Sequence, residues 1–135
     1  RPPRYPGEKG HTFVSPEEFK RYNHVAYTKF DGYEYGVPAE MLDTCDFYVI
    51  DIDGVKTLRE RYSGKELVVI YLDIAPEIAA IRMHERGDSD EKIMKRVRND
   101  VSMFADVTGL KPDYVINAGQ PLIEVIRDMM KVING

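Results

Sequence analysis

The sequence predicts an α/β fold. A parallel-sheet core flanked by helices occupies the C-terminal two thirds, and a small mixed α+β part occupies the N-terminal third. Three observations carry this prediction. Phe47-Tyr48-Val49-Ile50 and Leu67-Val68-Val69-Ile70-Tyr71-Leu72 are unbroken apolar runs of strand length, suited to strands covered on both faces, and Tyr114-Val115-Ile116 is a shorter third. Segments of helical character separate these runs, and strands alternating with helices imply crossover connections and a parallel sheet. The residues before position 46 lack that rhythm and are rich in turns and aromatic residues instead.

Taken in order, Arg1 to Gly10 is turn-rich and His11 to Val14 reads as a short strand. Ser15-Pro16-Glu17-Glu18 supplies an N-cap serine, proline at the first helical position and a capping-box glutamate, so a helix starts there. Val25 to Tyr35, broken by Asp31-Gly32, predicts a hairpin or two short antiparallel strands. Pro38 can open a helix running to about Cys45. Further helices are expected over roughly Val55 to Tyr62, Pro76 to Arg86 and Asp90 to about Val107, with a polar hinge from Gly87 to Glu91. Asp88 and Glu91 are the expected cap pair of the helix after that hinge, and Ile93, Val97, Val101 and Phe104 its packing stripe. A last helix, Pro121 to Ile133, carries Leu122, Val125, Ile126, Met129 and Met130 as one apolar stripe.

Composition removes several function classes. Across 135 residues, 19 basic and 23 acidic side chains give a net charge of −4, which argues against a general polyanion binder such as a nucleic-acid protein. With Cys45 alone, no intrachain disulfide and no cysteine-based zinc cluster can form, and a reducing, cytoplasmic setting is expected. No apolar run nears the ~18 residues of a membrane helix. His11, His24 and His84 have no metal-ligand spacing, and Cys45 has no identifiable histidine partner.

Four groups of polar residues can carry chemistry. Arg1 and Arg4, three apart on the stiff Arg1-Pro2-Pro3-Arg4 turn, can converge on one phosphate through their guanidinium forks, or form a solvated basic terminus. Arg82 and Arg86 are four apart on one helix, and Arg96 and Arg98 lie on the next. They can close on a polyphosphate like a lid, or form a charged surface paired with Glu85 and Asp90. Asp51 and Asp53 share a strand face at the carboxyl end where open parallel sheets bind ligands. There they can hold a water-coordinated magnesium, accept hydrogen bonds from a base or ribose, or cap the next helix. Asn117 can read a purine edge or close a turn, and the tyrosines between Tyr27 and Tyr35 can pack in the core or line a base pocket.

In serial order these segments resemble guanylate kinase. The Arg-Pro-Pro-Arg opening, Gly7-Glu8, His11-Thr12-Phe13-Val14-Ser15-Pro16-Glu17-Glu18-Phe19 and Tyr35-Gly36 are similar to its monophosphate-binding part. Asp51-Ile52-Asp53-Gly54-Val55 is similar to its core strand end, Arg82-Met83-His84-Glu85-Arg86-Gly87 to the approach to its lid, and Asp113-Tyr114-Val115-Ile116-Asn117 to the late strand beside the adenine. The resemblance implies a P-loop kinase-like core with a nucleoside monophosphate-binding insertion (residues 1–45) and a helical lid (about 86–107) within a core part (46–135). It implies ATP- and Mg2+-dependent conversion of GMP to GDP by in-line transfer, on small-molecule nucleotide substrates. Arg1, Arg4, His11 and Tyr35 would then grip the acceptor phosphate. Asp51 and Asp53 would face the acceptor, with Asp51 also facing the metal-bound water. Arg82, Arg86 and Arg96 would span the phosphates as the catalytic lid, and Asn117 would sit by the adenine.

The same resemblance marks departures. The family's glycine-rich P-loop is absent from these 135 residues and would lie upstream of Arg1, so this chain alone is expected to be a very poor kinase. Ala26 stands where the family places a guanine-reading glutamate, Val37 where it has a serine, and His11 where it has a phosphate-binding tyrosine. Those changes also fit an inactive guanylate kinase-like module that binds a phosphorylated peptide, or a kinase for another monophosphate. Monomer and homodimer are both compatible with the residues. The resemblance requires Phe47–Ile50 and Leu67–Leu72 to be neighbouring parallel strands.

Overall fold

A computed structural model describes residues 1–105 and 107–135. The chain divides into two compact units, Arg1–Lys65 and Glu66–Gly135. Within the first unit a helix and a hairpin share one core.

In the first unit, helix α1 (Pro16–Phe19) starts as its sequence dictates. The Ser15 hydroxyl accepts from the Glu18 N–H at 3.1 Å, and Pro16 occupies the first turn. Strands β1 (His24–Phe30) and β2 (Tyr33–Pro38) form an antiparallel hairpin. Both loop residues, Asp31 (φ 51°) and Gly32 (φ 80°), are left-handed, the geometry of a two-residue turn that matches strand twist. A register shift between His24 and Ala26 breaks the alternation, so Val25 and Ala26 are both buried. Helix α2 (Ala39–Asp43) follows Pro38, and helix α3 (Ile52–Arg61) packs on β1. Val25, Ala26, Val37, Leu42, Ile52, Val55 and Leu58 are the buried apolar residues of this unit.

Two expected strands do not form. His11–Val14 forms no strand and has no ladder partner; His11 and Phe13 instead pack ring on ring, 6.0 Å apart. Phe47–Ile50 also forms no strand, and Val49 is 97% exposed. Four apolar residues satisfy the strand pattern, but a strand exists only where a neighbour completes its hydrogen bonds. The pairing that the guanylate kinase resemblance required is therefore not formed among the described residues.

In the second unit, β3 (Ile70–Asp73) and β4 (Tyr114–Asn117) form a parallel pair in the register Ile70 with Tyr114 through Asp73 with Asn117. Asp113 brackets its entrance: its carboxylate accepts from the Val69 N–H at 2.7 Å and its own N–H donates to the Val69 carbonyl at 2.9 Å. The ladder is four residues long, so Leu67–Val69 stays outside it. Helix α4 (Pro76–Glu85), α5 (Asp90–Met103), the short α6 (Val107–Leu110) and α7 (Leu122–Asn134) complete the unit. Gly87, at φ 95°, turns the chain between α4 and α5, as the hinge pattern predicts. Ser89 rather than Asp88 caps α5, its hydroxyl accepting from the Lys92 N–H. Residue 106, within the expected lid of about 86–107, lies outside the described residues.

The apolar stripes of this unit are only partly buried. Ile93 and Val125 are covered, whereas Val101, Leu122, Ile126 and Met130 are exposed. A sheet of two short strands is too narrow to cover a helix of thirteen residues. The predicted strand–helix alternation and parallel pairing are present, but the parallel sheet among the described residues has two strands. No described helix is long and apolar enough to cross a membrane.

Candidate functional site

The proline-stiffened start of the chain folds back on itself around Glu8. One Glu8 oxygen accepts from Arg1 Nη2 at 2.7 Å, and the other accepts from Arg1 Nη1 at 2.9 Å and from the Arg4 N–H at 2.7 Å. This is a bidentate fork with a third, backbone donor. Both side chains are shielded, 9% exposed for Arg1 and 7% for Glu8. The Arg1 guanidinium also lies over the Phe13 ring, 5.3 Å from its centre, and His11 packs edge-on against Tyr35 at 5.9 Å.

These contacts build one wall of a cleft of about 250 Å3, lined by Arg1 to Arg4 on one side and by Phe30, Asp31, Tyr33 and Tyr35 of the hairpin on the other. Arg1, Arg4 and Tyr35, three of the predicted phosphate-gripping residues, thus come together, with His11 against Tyr35. Their roles differ. Arg1 is already paired, while the exposed Arg4 guanidinium makes no hydrogen bond or ion pair among the described residues. Glu8 is a site residue to which the sequence reading gives no role, although Gly7-Glu8 is part of the family resemblance. Its place seven residues after Arg1 lets the turn return its carboxylate to that guanidinium.

Hydrogen bonds from Arg1 and from the Arg4 N–H pull the Glu8 pKa down from 4.5 to about 2, and Glu8 in turn raises that of Arg1. A depressed carboxylate contributes stability that is complete above its unfolded value and is lost as pH falls through the folded one. Acid unfolding of the wild type should therefore steepen from about pH 4.5 down toward 2. A Glu8→Gln variant, followed by circular dichroism across the same range, should lose that part of the slope. An unchanged slope would refute the pairing.

The two aspartates do not share a strand face. Asp51 is the N-cap of α3, its Oδ1 accepting from the Gly54 N–H at 2.7 Å, and Asp53 stands exposed in the first helical turn. The capping alternative describes Asp51, because the chain turns helical at Ile52 before a strand can present both carboxylates. Gly54 is needed there: a Cβ would stand 2.9 Å from that Asp51 oxygen and 2.7 Å from Ile50 Cγ1. Among the described residues no three histidine, cysteine or acidic side chains are grouped to hold a metal ion.

In the second unit, each predicted lid arginine has a partner. Arg86 pairs with Asp88, which raises the arginine's pKa and lowers the carboxylate's. Arg96 pairs with Asp100 one turn on, at 3.0 Å. Glu85 and Asp90, the partners expected for a plain charged surface, are not the ones used in these pairs. Arg82 behaves differently: Nη1 donates to the Ala118 carbonyl at 2.6 Å and Nη2 to the Gln120 carbonyl at 2.9 Å. Asn117 closes the same turn, its Oδ1 accepting from the Gly119 N–H at 2.8 Å, so the turn alternative describes it. The Ala118 N–H donates to the Asp73 carbonyl at 2.7 Å, and the Gln120 amide donates to Asp128 of α7 at 2.7 Å. The loop at the carboxyl end of β4 is thus held from β3, α4 and α7.

No family model matches this chain. Over 88 residues it is 34% identical to a protein of Archaeoglobus fulgidus named "Probable thymidylate kinase". That relative bears the name of a kinase. The matched region is 62% of this chain and 43% of the relative, so the chain spans less than half the length of the curated relative it matches.

Proposed function

We propose that this chain carries nucleoside monophosphate kinase chemistry, the transfer of a phosphoryl group from ATP to a monophosphate seated in the cleft of the first unit. The observation that carries this reading is the unpaired Arg4 guanidinium beside Arg1 and Tyr35, facing an aromatic wall. A phosphomonoester meets the Arg4 guanidinium fork, and the nucleoside lies along Tyr33 and Phe30. The cleft, about 250 Å3, is near the ~300 Å3 lower end of ligand pockets, matching a phosphate and part of a nucleoside. Similarity to a protein named as a thymidylate kinase supports the same reaction class.

For the base, we place thymidylate ahead of the GMP implied by the guanylate kinase resemblance. Ala26 and Val37, where guanine would be read, are cross-strand partners 1% and 5% exposed. An apolar pair offers nothing to guanine's N–H donors. Mg2+ enters such sites chiefly on the nucleotide phosphates, with one or two carboxylates completing its shell through water or directly. Asp51 and Asp53 are the acidic residues here that suit that supporting role, although the Gly54 N–H already takes one Asp51 oxygen.

The test is calorimetric titration of this chain with dTMP, GMP, AMP, CMP and UMP. A saturable signal strongest for dTMP is the expected result. A selective GMP signal would reverse the order of bases. Silence from all five in a folded chain would overturn the kinase reading and turn attention to phosphorylated peptides.

A further inference from the structure

Resting on the kinase reading, we propose that Glu8 is a positioning residue that sets the charge specificity of the cleft: it keeps the Arg1 fork occupied, so that the site takes one phosphoryl group in preference to two. The Arg1 guanidinium already has its acceptors. Nη2 donates to Glu8 at 2.7 Å, and Nη1 donates to the other Glu8 oxygen at 2.9 Å and to the Pro2 carbonyl at 3.2 Å. The same guanidinium lies over the Phe13 ring. A phosphate that drew Arg1 away would have to lift it off that ring. It would also leave a carboxylate only 7% exposed without its charged partner.

Arg1 and Glu8 together carry no net charge. Arg4 is then the one side-chain cation lining the cleft that has no hydrogen bond or ion pair among the described residues, and the hairpin side adds Asp31 and no cation. A monophosphate finds one guanidinium fork for its one phosphoryl group. A diphosphate brings a second phosphoryl group and more negative charge, with no further side-chain cation of the lining open to it. Glu8 acts on Arg4 as well. Its carboxylate accepts from the Arg4 N–H at 2.7 Å and so fixes the backbone from which that side chain projects. One carboxylate thus withholds Arg1 and places Arg4. The proposed reaction turns a monophosphate into a diphosphate, so a cleft of this charge holds the acceptor and lets the product go.

The experiment titrates orthophosphate and pyrophosphate, at fixed ionic strength, into the wild-type chain, Glu8→Gln and Glu8→Asp. NMR shifts of the Arg4, Tyr5, Gly7 and Glu8 amides report binding, and circular dichroism confirms folding. The wild type should bind orthophosphate at least as tightly as pyrophosphate. Glu8→Gln keeps an oxygen to accept from Arg1 but no charge to hold it. It should bind pyrophosphate about tenfold more tightly than the wild type does, the scale of one charge-assisted hydrogen bond, and change orthophosphate by less than about threefold. Glu8→Asp keeps the charge and should keep the wild-type order. Equal weakening of both ions in Glu8→Gln would mean that Glu8 only holds the turn together, and would overturn the inference. An unchanged preference in Glu8→Gln would overturn it too. Tighter pyrophosphate binding by the wild type, or silence to both ions, overturns it whatever the variants do. Neither ion carries a nucleoside, so the monophosphate titration above judges the kinase reading separately.

Discussion

Replacing Arg4 by alanine should weaken monophosphate binding roughly 10- to 100-fold and leave the folded state intact, since a hydrogen bond to a charged group contributes ~1.5–3 kcal/mol. The side chain is exposed and makes no hydrogen bond or ion pair among the described residues, so its removal strands nothing there. Its backbone N–H, which does bind Glu8, survives the substitution. Arg1→Ala should behave differently. It removes the partner of a shielded carboxylate, so thermal stability and affinity should fall together. Calorimetry with dTMP and thermal unfolding of both variants make the comparison. Equal affinity losses with equal stability in the two would mean that Arg1 and Arg4 act as one surface-exposed pair, against the geometry described here.

Ala26→Glu restores the acid that the guanylate kinase resemblance expects at this position, and it should unfold the first unit instead of conferring GMP selectivity. Ala26 is 1% exposed and stands opposite Val37 across the two strands of the hairpin. A carboxylate at so buried a position loses its water, and an unpaired buried charge costs at least ~3 kcal/mol, on top of overpacking. In a domain of this size that shifts the melting temperature downward by more than ~10 °C. Ala26→Gln is the companion variant, with similar bulk and no charge, and should destabilise less. A folded Ala26→Glu protein with raised GMP affinity would show that this position faces a base after all.

Local features of this fold are legible in the sequence because they involve residues close together along the chain. Ser15 and Pro16 start α1, Asp31-Gly32 makes the hairpin turn, Gly87 breaks α4 from α5, and Asn117 closes its own turn. Partnerships are less legible. Arg86 with Asp88 and Arg96 with Asp100 are near neighbours, yet several carboxylates lie within reach and geometry chooses among them. The strand pattern of Phe47–Ile50 is genuine in the sequence and unfulfilled in the fold, because periodicity reports which face is apolar and not whether a neighbouring strand is present.

Residue order therefore sets the alternation of strands and helices, the caps and turns that bound them, and the residue types able to meet phosphate. Those depend on backbone preferences and spacing within a few residues. Only the folded chain settles that Glu8 returns to Arg1, that Ala26 and Val37 face a core, and that Arg82 reaches a loop 36 residues away. Charge and hydrogen bonding act through distance in space, so the role of a guanidinium is set by which acceptor the fold brings to it first.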